Sequence, residues 1–225
     1  MDREKLFEQF FNCCKQKPKQ FCGQGEKNSS ILIIGKESTN VTIEKNHDDC
    51  NKEKGCGKSR DRGKFYETWS KYQRLIEAVY MEEYDKNPCD VKLVDFEKHA
   101  FTTELSNDPR RQSSYVDARE SIEKRLELFR DSEFIQSFPV VVLACGGYIH
   151  NQGTGSERQI DNTFGVKYDG DAEGKHYYSK TNWFYTHHGK NNQKLVIHTR
   201  QFSQNIMNKL IYDIAQEIRK HLKIE

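Results

Sequence analysis

Ile31-Leu32-Ile33-Ile34-Gly35-Lys36-Glu37 is the stretch from which the fold is read. Four apolar residues in succession leave neither face of an extended segment polar. This is the pattern of a strand buried on both faces of a parallel sheet. Gly35 closes the run and polar residues follow at once. A second strand is expected over His99 to Leu105. A third is Val140-Val141-Val142-Leu143-Ala144, after Pro139 and before Gly146-Gly147. The fourth is Leu195-Val196-Ile197, which opens into His198-Thr199-Arg200.

The segments between these runs show helical spacing. Leu6, Phe7, Phe10, Phe11 and Cys14 predict an amphipathic helix over 2–15. Trp69, Tyr72, Ile76, Val79 and Tyr80 predict another from Glu67 to Tyr84, stopped at Asn87-Pro88. Ser114 is expected to cap a helix that turns Ile122, Leu126 and Phe129 inward. Ser203 is expected to cap a last helix with Ile206, Leu210, Ile214, Ile218 and Leu222 inward. Strands alternating with such helices predict a three-layer α/β sandwich around a mainly parallel four-stranded central sheet. Residues 150–192 differ in character: six glycines lie among aromatic residues, and a hairpin-like insertion is expected there. Neither a repeat nor a linker divides the chain. One α/β domain over 1–225 is expected, with an N-terminal helix and loop at 1–28 and a core at 29–222.

Composition narrows the function. The chain has 225 residues, enough to bury a core without a metal or disulfide. Its 36 Lys and Arg against 34 Asp and Glu give a formal charge of +2, which excludes a binder that relies on overall basicity. The 13 Phe, 11 Tyr and 2 Trp suffice to seed a core despite 31% charged residues. No apolar run is long enough to span a bilayer, and the opening Met1-Asp2-Arg3-Glu4-Lys5 is unlike a signal peptide, so no membrane association is expected. The seven cysteines contain no C-x-x-C pair. Scattered free thiols in a reducing, cytoplasmic setting are expected rather than a site built from Cys13, Cys22, Cys50 and Cys56. No metal, no cofactor and no obligate protein partner are expected.

In an open parallel sheet, ligands gather beyond the carboxyl ends of the strands. The candidate residues are therefore Gly35, Lys36 and Glu37 after the first strand, Thr103 and Glu104 on the second, and His198 with Arg200 and Gln201 at the fourth. A carboxylate and an imidazole at strand ends suit hydrolysis, with Glu37 orienting a water and His198 meeting developing negative charge. A turn carboxylate and a backbone-satisfied histidine are the plainer alternatives. His176 and His187-His188 read as a solvated polar cluster rather than a metal site. Lys54, Lys58, Arg60 and Arg62, in a loop with Gly55, Gly57 and Gly63, suit phosphate contact, or form an ordinary solvated loop. Phe65 and Tyr66 follow directly, placed either to stack on a base or to staple the next helix. The sequence has neither a G-x-S-x-G elbow nor a P-loop.

Ile31-Leu32-Ile33-Ile34-Gly35-Lys36-Glu37 resembles the first motif of the uracil-DNA glycosylase superfamily, a hydrophobic strand ending in Gly-Gln-Asp-Pro or a related tetrapeptide. Leu195 to Ser203 resembles its second motif, a strand ending in His-Pro-Ser with a loop and helix after it, and Val140 to Gly146 resembles the strand before that. The order of elements is similar over most of 29–222, and is most similar to a divergent, little-characterised bacterial branch. The resemblance implies a DNA partner and cleavage of a base–sugar bond after the base is extruded. By position it implies that Glu37 orients the water, that His198 polarises a base carbonyl, that Phe65 or Tyr66 stacks on the base, and that Arg200 and Gln201 enter the duplex. The chain departs from the pattern at Ser38 and Thr199, where the family has proline, and at the end of the second strand, where a base-reading asparagine is expected and Thr102, Thr103 and Glu104 stand. Two rival readings are a non-catalytic nucleic-acid or nucleotide-binding protein of the same fold and a small-nucleotide hydrolase.

Overall fold

The computed structural model describes residues 2–16, 21–37, 66–81, 95–106, 115–202 and 206–225. Among them are six α-helices and eight strands in a single mixed sheet. The strands are β1 (Gln24–Gly25), β2 (Ile31–Glu37), β3 (Phe101–Ser106), β4 (Val140–Ala144), β5 (Val166–Tyr168), β6 (Lys175–Ser179), β7 (Asn182–Gly189) and β8 (Leu195–Thr199). The helices are α1 (Arg3–Lys15), α2 (Tyr66–Tyr80), α3 (Tyr115–Asp131), α4 (Glu133–Gln136), α5 (Gln159–Phe164) and α6 (Asn208–Leu222).

The four expected strands lie side by side in the order β3-β2-β4-β8, and every pair among them is parallel. The sheet does not stop there. The edge strand β1 pairs antiparallel with β3, and β7 pairs antiparallel with β8. The outer side of β7 carries β5 toward one end and β6 toward the other. Asp169 donates to Thr186 O and Thr186 donates to Gly174 O, so 170–173 is an excursion between two stretches of one edge. The sheet is thus eight-stranded and mixed, not four-stranded and mainly parallel. The region expected as a hairpin-like insertion is an antiparallel wing of the same sheet, because the backbone groups left free by β8 are taken up by β7.

Alternation along the parallel strands builds two cores. Leu32, Ile34, Val141, Leu143 and Val196 face α1, α3, α4 and α5, together with Phe101 and Leu105. Ile31, Ile33, Val140, Val142, Leu195 and Ile197 face α2 and α6. Each fully buried Val, Leu or Ile is worth about 1.5–3 kcal/mol, so paired faces like these set the strand register. The N-terminal helix belongs to the first core through Leu6, Phe7, Phe10, Phe11 and Cys14, and Asp2 caps it by accepting from the Glu4 amide at 3.1 Å. Boundaries shift from expectation at two helices. α2 ends at Tyr80, and α6 begins at Asn208, after the Met207 amide donates to Asn182 Oδ1 at 2.8 Å. Ser114 and Ser203 lie outside the described residues.

Arg125 pins the first core together. Its fully buried guanidinium donates to Thr103 Oγ1 at 2.8 Å, to Glu104 O at 3.1 Å, to Cys14 Sγ at 3.7 Å and to Phe21 O. It also lies over the Phe129 ring at 4.6 Å. One side chain so links α3, α1, the 21–23 segment and β3.

Candidate functional site

The carboxyl ends of β2, β3, β4 and β8 share one edge. Ile34 is opposite Leu143, Leu143 is opposite His198, and Gly35 is opposite Glu104. This edge brings together the expected Gly35, Lys36, Glu104 and His198, with Arg200 and Gln201 beside the turn at Gly146. The backbone of Glu37 also reaches it, opposite Ser106. The side chains of Glu37 and Tyr66, and all of Phe65, Lys54, Lys58, Arg60 and Arg62, lie outside the described residues.

The faces divide. Gly35 and Glu104 alternate with residues of opposite orientation and emerge on the α2 side. A Cβ built on Gly35 would meet Glu104 Oε2 at 2.4 Å, so the carboxylate lies directly over the glycine. Tyr72 of α2 faces the same place; burial raises its phenol pKa, and the charge of Glu104 adds to the shift. Lys36 and His198 emerge on the other face. Lys36 Nζ sits 4.0 Å from the centre of the Tyr148 ring. Gly35 and His198 therefore share an edge but not a face, since β4 separates their strands and the alternation at the two positions is opposite. Thr103 turns away from Glu104 for the same reason. Its buried hydroxyl accepts from Arg125 inside the core, so it does not join the edge as a base-binding group.

His198 is 7% exposed and is fixed on all sides. Its Nε2–H donates to Gly146 O at 2.8 Å. The Trp183 ring meets it edge-on at 5.1 Å, and Tyr185, its partner across β7, lies at 6.2 Å. Burial pushes its pKa down to about 4; the Gly146 carbonyl opposes the shift, and His187 and His150 add to it. The imidazole is neutral at physiological pH, with Nδ1 as the unprotonated nitrogen.

Sequence reasoning missed the companion of this histidine. His187, expected to be solvated, is 1% exposed. It is the register partner of Val196, so it is a diagonal neighbour of His198 on the same face. Its Nδ1 is 3.2 Å from Asp161 Oδ1. Asp161 in turn accepts from Arg158 through Nε at 2.9 Å and Nη2 at 2.5 Å, and its amide donates to Asn151 Oδ1. Burial opposes ionisation of Asp161, but the hydrogen bonds from Arg158, Asn151 and His187 hold it below the ordinary carboxylate range. His187 Nε2 is left as a buried lone pair with no hydrogen-bond partner. Burial lowers the pKa of His187 despite Asp161. Asp161 lies 26 residues away in the chain, and no local pattern announces that pairing. The other two expected cluster members separate. His176 stacks on Phe184 at 4.1 Å, and His188 binds Asp169 on the opposite face.

Chemically, the His198 side of the edge offers a neutral N–H donor, half-buried aromatic rings at Trp183 and Tyr185, and a cation at Lys36. No group of three or more His, Cys, Asp or Glu side chains is arranged to hold a metal among the described residues. Nor does any helix among them have the length and apolarity to cross a membrane. No protein-family model matches the chain, and no curated protein matches it.

Proposed function

We propose that this chain is a uracil-DNA-glycosylase-like protein that hydrolyses the bond between a base and its sugar in DNA. The observation that carries the proposal is the neutral, buried imidazole of His198 at the carboxyl edge of a parallel sheet, with aromatic rings beside it. In such a reaction the C1′–N bond breaks and its electron pair leaves on the base. A water oxygen bonds to C1′, and the water's proton passes to a carboxylate, the role proposed for Glu37. A neutral imidazole suits the departing base because its N–H donates a hydrogen bond to the growing charge, and an uncharged ring is the form that burial favours. Trp183 and Tyr185 supply faces for an extruded base, and Lys36 supplies charge for a phosphate. To serve a substrate carbonyl, Nε2–H exchanges Gly146 O for that oxygen.

That same hydrogen bond favours a second reading, a nucleic-acid or nucleotide-binding protein without catalysis, in which His198 remains satisfied by Gly146. The two separate in one experiment. Duplex and single-stranded DNA carrying uracil, hypoxanthine, xanthine or oxidised bases is scored for abasic sites, alongside binding. Catalysis predicts base release, with Glu37→Gln and His198→Ala each slowing it a hundredfold or more while binding changes little. Binding without release supports the second reading. Neither release nor binding sinks both.

A further inference from the structure

The aromatic surface beside His198 continues beyond the reach of one base. Tyr185 is the register partner of His198, and Trp183, two residues back along β7, lies on the same face. Tyr177 of β6 is the register partner of Trp183 and so shares that face. Trp183 is 5.1 Å from His198 and 5.1 Å from Tyr185, ring centre to ring centre. Three neighbouring strands carry the strip, so it runs about 10 Å outward from His198. Exposure grows in the same direction. His198 is 7% exposed, Trp183 and Tyr185 are half-buried, and Tyr177 is 59% exposed on a strand at the edge of the sheet.

The wing is anchored through its other face. There Phe184 is fully buried in the second core, His176 stacks on it at 4.1 Å, and Tyr178 donates to Asp213 of α6. Folding therefore uses the residues that alternate with the strip, and leaves Tyr177 open to solvent. Charge is placed to match a polyanion at the Trp183 end. Arg200 follows Thr199, the register partner of Phe184, and Lys180 stands in the turn that joins β6 to β7. Asp169, Asp171 and Glu173 lie at the opposite end. Asp171 is engaged by Tyr168 Oη at 3.0 Å and by Lys175 Nζ at 3.1 Å, and Asp169 serves Thr186 and His188 on the far face.

We propose, on the reading of the His198 edge as a base site, that this strip binds a single strand of nucleic acid, with the extruded base against Trp183 and Tyr185 and the adjacent base stacked on Tyr177. Bases in a duplex stack on one another and keep their faces covered, whereas an unpaired strand offers a face to each ring. Arg200 and Lys180 meet the phosphates of that strand. The substrate class is thereby unpaired rather than duplex DNA.

The test uses the chain's own fluorescence. Its two tryptophans are Trp69, packed edge-on against Phe96, and Trp183, so Trp69→Phe leaves Trp183 as the reporter. The full-length variant is titrated with oligothymidine, with an abasic strand of equal length and with a hairpin duplex. Oligothymidine should quench Trp183 saturably and bind about tenfold or more tighter than either control. Tyr177→Ala should weaken that binding about fivefold or more, the lower end of what one stacked base contributes, and Tyr177→Phe should restore it. Circular dichroism checks each fold, and anisotropy of labelled oligothymidine gives the same affinities if Trp69→Phe does not fold. Base release is scored alongside. Binding of this kind without release upholds the strip and removes catalysis. Release that proceeds equally from hairpin and single strand, and is untouched by Tyr177→Ala, upholds the enzyme and overturns the strip. Absence of quenching, equal affinity for the abasic strand or the hairpin, or binding that survives Tyr177→Ala would each overturn the proposal as well.

Discussion

Replacing Gly35 with alanine probes the packing that joins β2 to β3 at the candidate site. A methyl group there would lie 2.4 Å from Glu104 Oε2, 3.0 Å from its Cδ and 3.1 Å from Oε1. The first distance is well inside van der Waals contact, so the carboxylate has to swing away from its place over β2. The backbone itself raises no objection, because Gly35 is not among the glycines with positive φ. Two effects of opposite sign therefore compete. Alanine in a strand interior recovers about 0.5–1 kcal/mol relative to glycine through the unfolded chain's entropy. Forcing an extra carbon into an occupied space costs about 1–3 kcal/mol. The single substitution should destabilise by about 0.5–2 kcal/mol. In a Glu104→Ala background the obstacle is gone, and Gly35→Ala should become neutral or stabilising by up to about 1 kcal/mol. The coupling of the pair is then about 1–3 kcal/mol, which a double-mutant cycle reads directly. Urea unfolding of the four proteins, followed by circular dichroism, supplies the numbers. Equal costs of Gly35→Ala in the two backgrounds would show that Glu104 does not occupy the space above Gly35, and the arrangement at this edge would have to be redrawn.

Three further outcomes follow from the same structure. Because burial holds the pKa of His198 at about 4 against 6.5 for a free imidazole, the unfolded chain binds a proton between those values that the folded chain does not. Stability should fall by about 3 kcal/mol as pH drops through that window, and His198→Gln should remove most of the slope in urea unfolding; an unchanged slope refutes the assignment. Arg125→Met strips the donors from Glu104 O, Thr103 Oγ1 and Phe21 O and should cost about 3 kcal/mol or more, while a loss under about 1 kcal/mol by thermal melting would mean those acceptors find other partners. Any oligonucleotide binding should weaken with salt, and replacing Lys54, Lys58, Arg60 and Arg62 by alanine should flatten the slope by about one unit for each phosphate no longer neutralised. An unaltered slope would leave those residues as solvated loop.

The four parallel strands, and the edge at which their polar residues emerge, are legible in the order of residues along the chain. Runs such as Ile31 to Ile34 and Val140 to Ala144 have no polar face to offer water, so only a place between two helical layers suits them. The residue at which each run ends is visible in the same way, which is why Gly35 and His198 stand out together. What each side chain faces there was decided only in three dimensions. The register across β4 sends Glu104 over Gly35 on one face and His198 beside Trp183 on the other, and no count along a single strand contains that information. The antiparallel wing was legible only as a hairpin-like insertion, because the pairing of β7 with β8 that joins it to the sheet leaves no local pattern. His187 looks like a surface residue until Asp161 of α5 arrives to satisfy it. His188 and His221 become neighbours only when α6 folds back across β8. A polar side chain is tolerated in the interior only with a partner. In these cases the partner comes from a remote segment, so burial, protonation and chemistry were set by tertiary structure alone.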